Sequence, residues 1–163
     1  MDGLAEALRA EFVRMTSDLI HTEKAHFAAA QKHLRLHRVL GLVATVAGAL
    51  AAAAIVSDTS RTSAALLALL ASLSSGVVTF VKPQEKAQHH LDAGRDLGAL
   101  RVHVRQAHDL DLATGSQESL SGVRDAASRY ATQKAAIDRT APAITDAAYR
   151  QGKAKIDAGE FEP

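Results

Sequence analysis

Two stretches of the chain, Val39–Val56 and Ala64–Val81, run for 18 positions each without a charged side chain. A helix rises about 1.5 Å per residue, so each stretch would span roughly 27 Å, close to the hydrocarbon core of a bilayer. The polar spacer that includes Ser57, Asp58, Thr59, Ser60, Arg61 and Thr62 has room only for a turn, which forces the two helices antiparallel. The pattern predicts a two-span membrane hairpin.

Neither run is strongly apolar. The first holds eight Val, Leu or Ile, seven Ala and three Gly or Thr; the second holds nine large apolar residues, four Ala and five Ser, Thr or Gly. At about −0.3 to −0.6 kcal/mol per large apolar residue, each span gains roughly 2–5 kcal/mol on insertion. The competing reading is an Ala-rich soluble bundle with the hairpin as its core, but an 18-residue charge-free helix is unusual in so short a chain.

Outside the runs the period changes. Leu8, Phe12, Met15, Leu19, Thr22, His26, Ala29, His33, Leu36 and Leu40 recur in alternating steps of four and three, the seam of a helix packed along another helix. Lys86, His90, Ala93, Leu97, Leu100, Val104, Ala107 and Asp111 repeat the rhythm after the second run. Antiparallel pairing sets Met15 beside Val104, Leu19 beside Leu100 and Thr22 beside Leu97, while His26, His33, Lys86 and His90 meet nearer the spans. No Pro or Gly interrupts Leu4–Leu40, so the first helix (1–38) should run unbroken into span 39–56. Pro83 should kink or restart the second helix after span 64–81.

The spacing predicts helices over about 84–113, 117–139 and 142–158. Thr114 or Ser116 would cap the second of these, and Leu120, Val123, Ala127, Tyr130 and Ile137 would form its inner stripe, with Ser119, Arg124, Asp125 and Arg129 outside. Pro142 suits the first turn of the last helix and Gly159 its stop, leaving Glu160–Pro163 as a tail. The expected fold is all-α: a transmembrane hairpin (39–82), an antiparallel helical stalk and two C-terminal helices.

Flanking charge orients the hairpin. Lys32, Arg35, His37 and Arg38 precede the first span, Lys82 and Lys86 follow the second, and the turn carries Arg61 against Asp58. The positive-inside bias puts both termini in the cytoplasm and makes Arg35, His37, Arg38, Lys82 and Lys86 interfacial. Nineteen Lys and Arg balance eighteen Asp and Glu, and Arg95, Arg101 and Arg105 are interleaved with acids, so no nucleic-acid stripe forms. Absence of cysteine removes disulfides, thiolate zinc sites and thiol nucleophiles. No glycine-rich phosphate loop or nucleophile–base set is visible; His108, Asp109 and Asp111 read as a solvated helix rim. No enzyme activity and no cofactor are expected. His33 and His37, spaced for one helix face, with His89 and His90 across the stalk, could suggest a metal. No carboxylate set completes the site; the histidines read as interfacial residues tolerated near headgroups, with a headgroup-binding or pH-responsive role as the alternative.

Within the spans small and polar residues gather by face: Gly41, Thr45, Gly48 and Ala52 in the first, Ala68, Ser72, Ser75, Gly76 and Thr79 in the second. Such faces permit close helix approach in lipid. They either pack the hairpin's two helices together or, in a homo-oligomer, meet a neighbouring subunit or an aqueous path.

The order of Lys24-Ala25-His26, the small-residue hairpin, Phe80-Val81-Lys82-Pro83-Gln84-Glu85, Ala141-Pro142 and then Ala148-Tyr149 through Gly159-Glu160 resembles the SLATT domain family. These are two-transmembrane effector domains found beside SMODS nucleotidyltransferases and SLOG sensors in bacterial conflict systems. The resemblance covers roughly residues 20–162. It implies an antiphage effector in the cytoplasmic membrane that oligomerises, forms pores and damages its own cell's membrane, as in abortive infection. The trigger would be a nucleotide-linked signal, or an enzyme or sensor partner supplying one. The alternative is a non-pore membrane adaptor recruiting a soluble partner through the C-terminal helices.

Overall fold

In a computed structural model, residues 2–57, 60–111 and 117–159 are described. Among them the regular structure is all helix, with no strand. Helix α1 spans Asp2–Val56, α2 Arg61–Val81, α3 Pro83–Gln106, α4 Gln117–Thr140 and α5 Asp146–Asp157; a π-helical turn, Ala107–Asp111, follows α3. The chain divides into two units, one from residues 1–29 with 89–163, the other Ala30–Gln88.

The hairpin unit holds both apolar runs. Ser60 caps α2 from an extended conformation, its Oγ accepting from the Ser63 N–H at 3.4 Å. At the other end Lys82 turns left-handed (φ 48°) and its N–H bonds Val78 O at 3.0 Å. Pro83, buried, then opens α3, where its missing N–H costs nothing. Thus the proline restarts the helix rather than kinking it. The seam between α1 and α2 is built from Leu40, Ala44, Ala47, Ala51 and Ala54 against Ala64, Leu67, Ala71, Ser74, Val78 and Val81, all buried or half-buried. Small side chains let the backbones approach closely: a Cβ placed on Gly48 would lie 4.0 Å from that of Ala71.

The helical unit has a conventional core. Leu8, Phe12 and Leu19 of α1 pack with Leu97, Leu100 and Val104 of α3 and with Leu120, Val123 and Ala127 of α4; Met15, Tyr130 and Ile137 line its edge. Arg124, Asp125 and Arg129 lie outside. Lys134 ties α4 to α1 through Asp18 (3.1 Å) and to Asp138 (2.7 Å). Burial disfavours its ammonium, but the two carboxylates outweigh that and raise its pKa.

Two boundaries differ from expectation. The last helix starts at Asp146, not at Pro142: Thr145 Oγ1 accepts from the Ala148 N–H at 3.3 Å, and Asp146 favours the helix's positive end. The extended stretch before it lets Ile144 pack on Ala28, Ala29 and Ala148. The helix predicted over 84–113 keeps α geometry only to Gln106 and then widens into the π turn. Gly159 adopts φ 71° after α5, the left-handed stop expected of it. The cap assigned to Thr114 or Ser116 and the tail Glu160–Pro163 lie outside the described residues.

Candidate functional site

The lateral surface of the hairpin is the first candidate. Both helices are long and apolar enough to cross a membrane, and only 11% of the most apolar 18-residue window of each is buried. Val39, Leu42, Val46, Leu50, Ile55 and Val56 of α1 and Leu66, Leu69, Leu70, Leu73, Val77 and Phe80 of α2 are exposed, Phe80 by 88%. At about 25 cal/mol per Å² of apolar surface, twelve half-exposed side chains of this size represent on the order of 20 kcal/mol. A single domain's net stability is about 5–15 kcal/mol, so water is a poor solvent for this surface.

The small and polar residues take a different place from the seam. Of the three glycines on these faces, Gly41, Gly48 and Gly76, only Gly48 would bring an added Cβ to the partner helix, 4.0 Å from that of Ala71. Gly41 and Gly76 are half-buried, with nothing within 4 Å of an added Cβ. Thr45, Ala68, Ser72, Ser75 and Thr79 are exposed. Thr45 and Thr79 donate to Gly41 O (2.9 Å) and Ser75 O (3.0 Å), whereas the Ser72 and Ser75 hydroxyls have no hydrogen-bond partner among the described residues. The hairpin therefore closes through an Ala-rich third stripe, distinct from the small-residue faces and from the large apolar ones. Continuing from Leu36 and Leu40 with a second step of four to Ala44, then three, four and three to Ala47, Ala51 and Ala54, reaches it.

At the ends of the spans, Arg35, Arg38, Lys82 and Lys86 are exposed and His37 is half-buried, its Nδ1 without a hydrogen-bond partner. Lys82 pairs with Glu85 at 3.0 Å. Burial, then the charges of Lys86 and Lys32, lower the pKa of His33.

The helical unit contains a buried polar layer. Glu23 accepts from Lys24 Nζ at 2.8 Å and from Arg101 Nε at 2.9 Å, and Lys24 Nζ sits 5.6 Å from the centre of the Phe27 ring. Glycines make the layer possible. An added Cβ on Gly98 would come 3.5 Å from the Glu23 carboxyl, one on Gly94 would strike the Phe27 ring at 2.9 Å, and one on Gly152 of α5 would strike the Ala25 nitrogen at 2.7 Å. Beside it His26 and His90 share one hydrogen bond between their Nδ1 atoms, 2.9 Å apart. The four residues expected to meet near the spans thus divide between His26–His90 and His33–Lys86. His89 is exposed. Among the described residues no three His, Asp or Glu side chains converge as a metal site.

Glu23 is hidden in the sequence because a charged residue inside a polar segment reads as surface. The nearest sequence signal is Gly98, a helix-interior glycine two positions beyond Asp96, the residue that the predicted pairing sets opposite Glu23.

No protein-family model matches the sequence, and neither a curated protein nor a solved structure matches it.

Proposed function

We propose that this chain is a membrane effector of the SLATT kind, seated in a bacterial cytoplasmic membrane with both termini inside. Copies associate laterally and make that membrane permeable as an antiphage response. The observation that carries the reading is the uncovered lateral surface of the hairpin, apolar over most of its circumference and interrupted by Ala68, Ser72, Ser75 and Thr79. In hydrocarbon the Ser72 and Ser75 hydroxyls need partners from another helix or from water. Two helices cannot enclose a channel, so permeability requires several copies. A lining of hydroxyls without charge discriminates poorly among ions, which suits depolarisation.

Orientation rests on Lys32, Arg35 and Arg38 before the first span and Lys82 and Lys86 after the second, against Arg61 in the turn. The helical unit receives the trigger, a nucleotide-linked signal or a partner that delivers one. Reconstitution into dye-loaded liposomes tests the proposal. Dye release that rises with cross-linked oligomer supports it, and inserted protein that leaves vesicles tight rules out the pore.

A further inference from the structure

The helical unit holds a cleft of about 470 Å³ between α1, the π turn and α5, within the usual size of small-molecule sites. Val13, Ile20 and Ile156 give it an apolar floor, and Val13 is left 58% exposed there. The π turn widens the helix at this point and brings His108 and Asp109 to the cleft; such turns recur at functional sites.

The cleft carries no net charge. Arg105 is offset by Asp109 on the same wall. Further out, Arg14 holds Glu11 at 2.6 Å, and Lys134 lies between Asp18 at 3.1 Å and Asp138 at 2.7 Å. An anion therefore meets carboxylates as well as the guanidinium, and a cation meets Arg105. The lining suits a neutral ligand.

The ring nitrogens left over are acceptors. Asp109 takes the Nδ1 hydrogen of His108 at 2.7 Å, and Ser17 O takes that of His21 at 2.7 Å. Each neutral imidazole then presents Nε2 as a lone-pair acceptor with no hydrogen-bond partner among the described residues. His108 is fixed a second time by the wholly buried Phe12, whose ring meets it edge-on at 6.4 Å between centres. His21 is held on its other side by Tyr149, nearly parallel at 28°. Two fixed rings beside an apolar floor favour a flat aromatic ligand over a flexible aliphatic one, because little side-chain freedom remains to be lost. A ligand that covered Nε2 without donating to it would strip that nitrogen of water for nothing.

We propose that this cleft binds a small, neutral, flat aromatic molecule bearing one N–H or O–H, the chemistry of an indole or a phenol. The ring lies on Val13, Ile20 and Ile156 against His21, and its N–H or O–H donates to His108 Nε2. The inference does not depend on the membrane reading, so a failure to bind and a failure to leak are separate results.

The test is calorimetric titration of the full chain in detergent, blanked against protein-free micelles, with indole, N-methylindole, indoleacetate and tryptamine. Indole should saturate at one equivalent. N-methylindole, which keeps the ring but cannot donate, and the two charged compounds should each bind about tenfold more weakly or worse. His108→Phe keeps a ring beside Phe12 but removes Nε2; it should weaken indole about tenfold and leave N-methylindole unchanged. Val13→Asp should weaken both, and because Val13 is exposed the substitution does not threaten the fold. No saturable binding of indole, equal binding of indole and N-methylindole, tighter binding of a charged compound, or indole binding unaltered in either variant overturns the proposal.

Discussion

His26 and His90 face each other through their Nδ1 atoms at 2.9 Å, so a single proton lies between the two rings, one donating and the other accepting. Both residues are buried, and their ring centres are 5.2 Å apart. Burial lowers the pKa of His26 below its ordinary 6.5, with the Asp138 carboxylate pulling weakly the other way. Protonating both Nδ1 atoms would replace the hydrogen bond with a repulsion.

The sign of the resulting pH dependence follows. Below about 6.5 the unfolded chain takes up protons that folded His26 resists, so the neutral pair's contribution is complete above that value and is lost as pH falls toward the folded pKa. The melting temperature should drop between about pH 7 and pH 5, and His26→Gln should flatten the drop. An equal slope in the variant would show that the pair does not titrate against folding.

Glu23 should be costly to remove. Glu23→Ala leaves Lys24 buried and Arg101 half-buried without their shared carboxylate, and breaking such a group costs about 3–5 kcal/mol. Denaturant unfolding should show a loss of that order; a change below about 1 kcal/mol would mean that water replaces the carboxylate.

Two glycine substitutions should act in opposite directions. Gly152→Ala drives a methyl to 2.7 Å from the Ala25 backbone nitrogen, which only displacement of α5 can relieve, at about 1–3 kcal/mol. Gly122→Ala, in α4 with nothing within 4 Å, should stabilise by about 0.5–1 kcal/mol through helix propensity. Thermal melts of the pair decide it, and stabilisation by both would deny the close packing of α5 on α1.

On the hairpin, replacing Ser72 and Ser75 together with Leu keeps α2 apolar but fills the stripe available to a second copy. Membrane insertion should be unchanged, while cross-linked oligomers and dye release fall several-fold. Unaltered assembly would move the contact between copies to another face.

Large apolar residues at helical spacing made most of the fold legible. Leu8, Phe12 and Leu19 with Leu97, Leu100 and Val104 declare a seam by size alone, as do Leu120 and Val123 on α4. The hairpin seam hid because Ala47, Ala51, Ala64 and Ala71 differ little in size or polarity from their neighbours, and the larger side chains face outward. The start of α5 turned on two competing N-terminal signals, Pro142 and Thr145, which only the packing of Ile144 separates. The π turn has no sequence signature in His108, Asp109 and Leu110. The cleft beside it joins residues from three distant segments, which no single motif could display.

Washing membranes from expressing cells at alkaline pH, which strips peripheral protein and leaves integral helices in place, asks most directly whether the two Ala-rich runs belong in lipid. The chain should stay in the pellet and be released only by detergent. Recovery in the wash, as a monodisperse protein without detergent, would mean that Leu66, Leu73 and Phe80 find their cover elsewhere than in a bilayer.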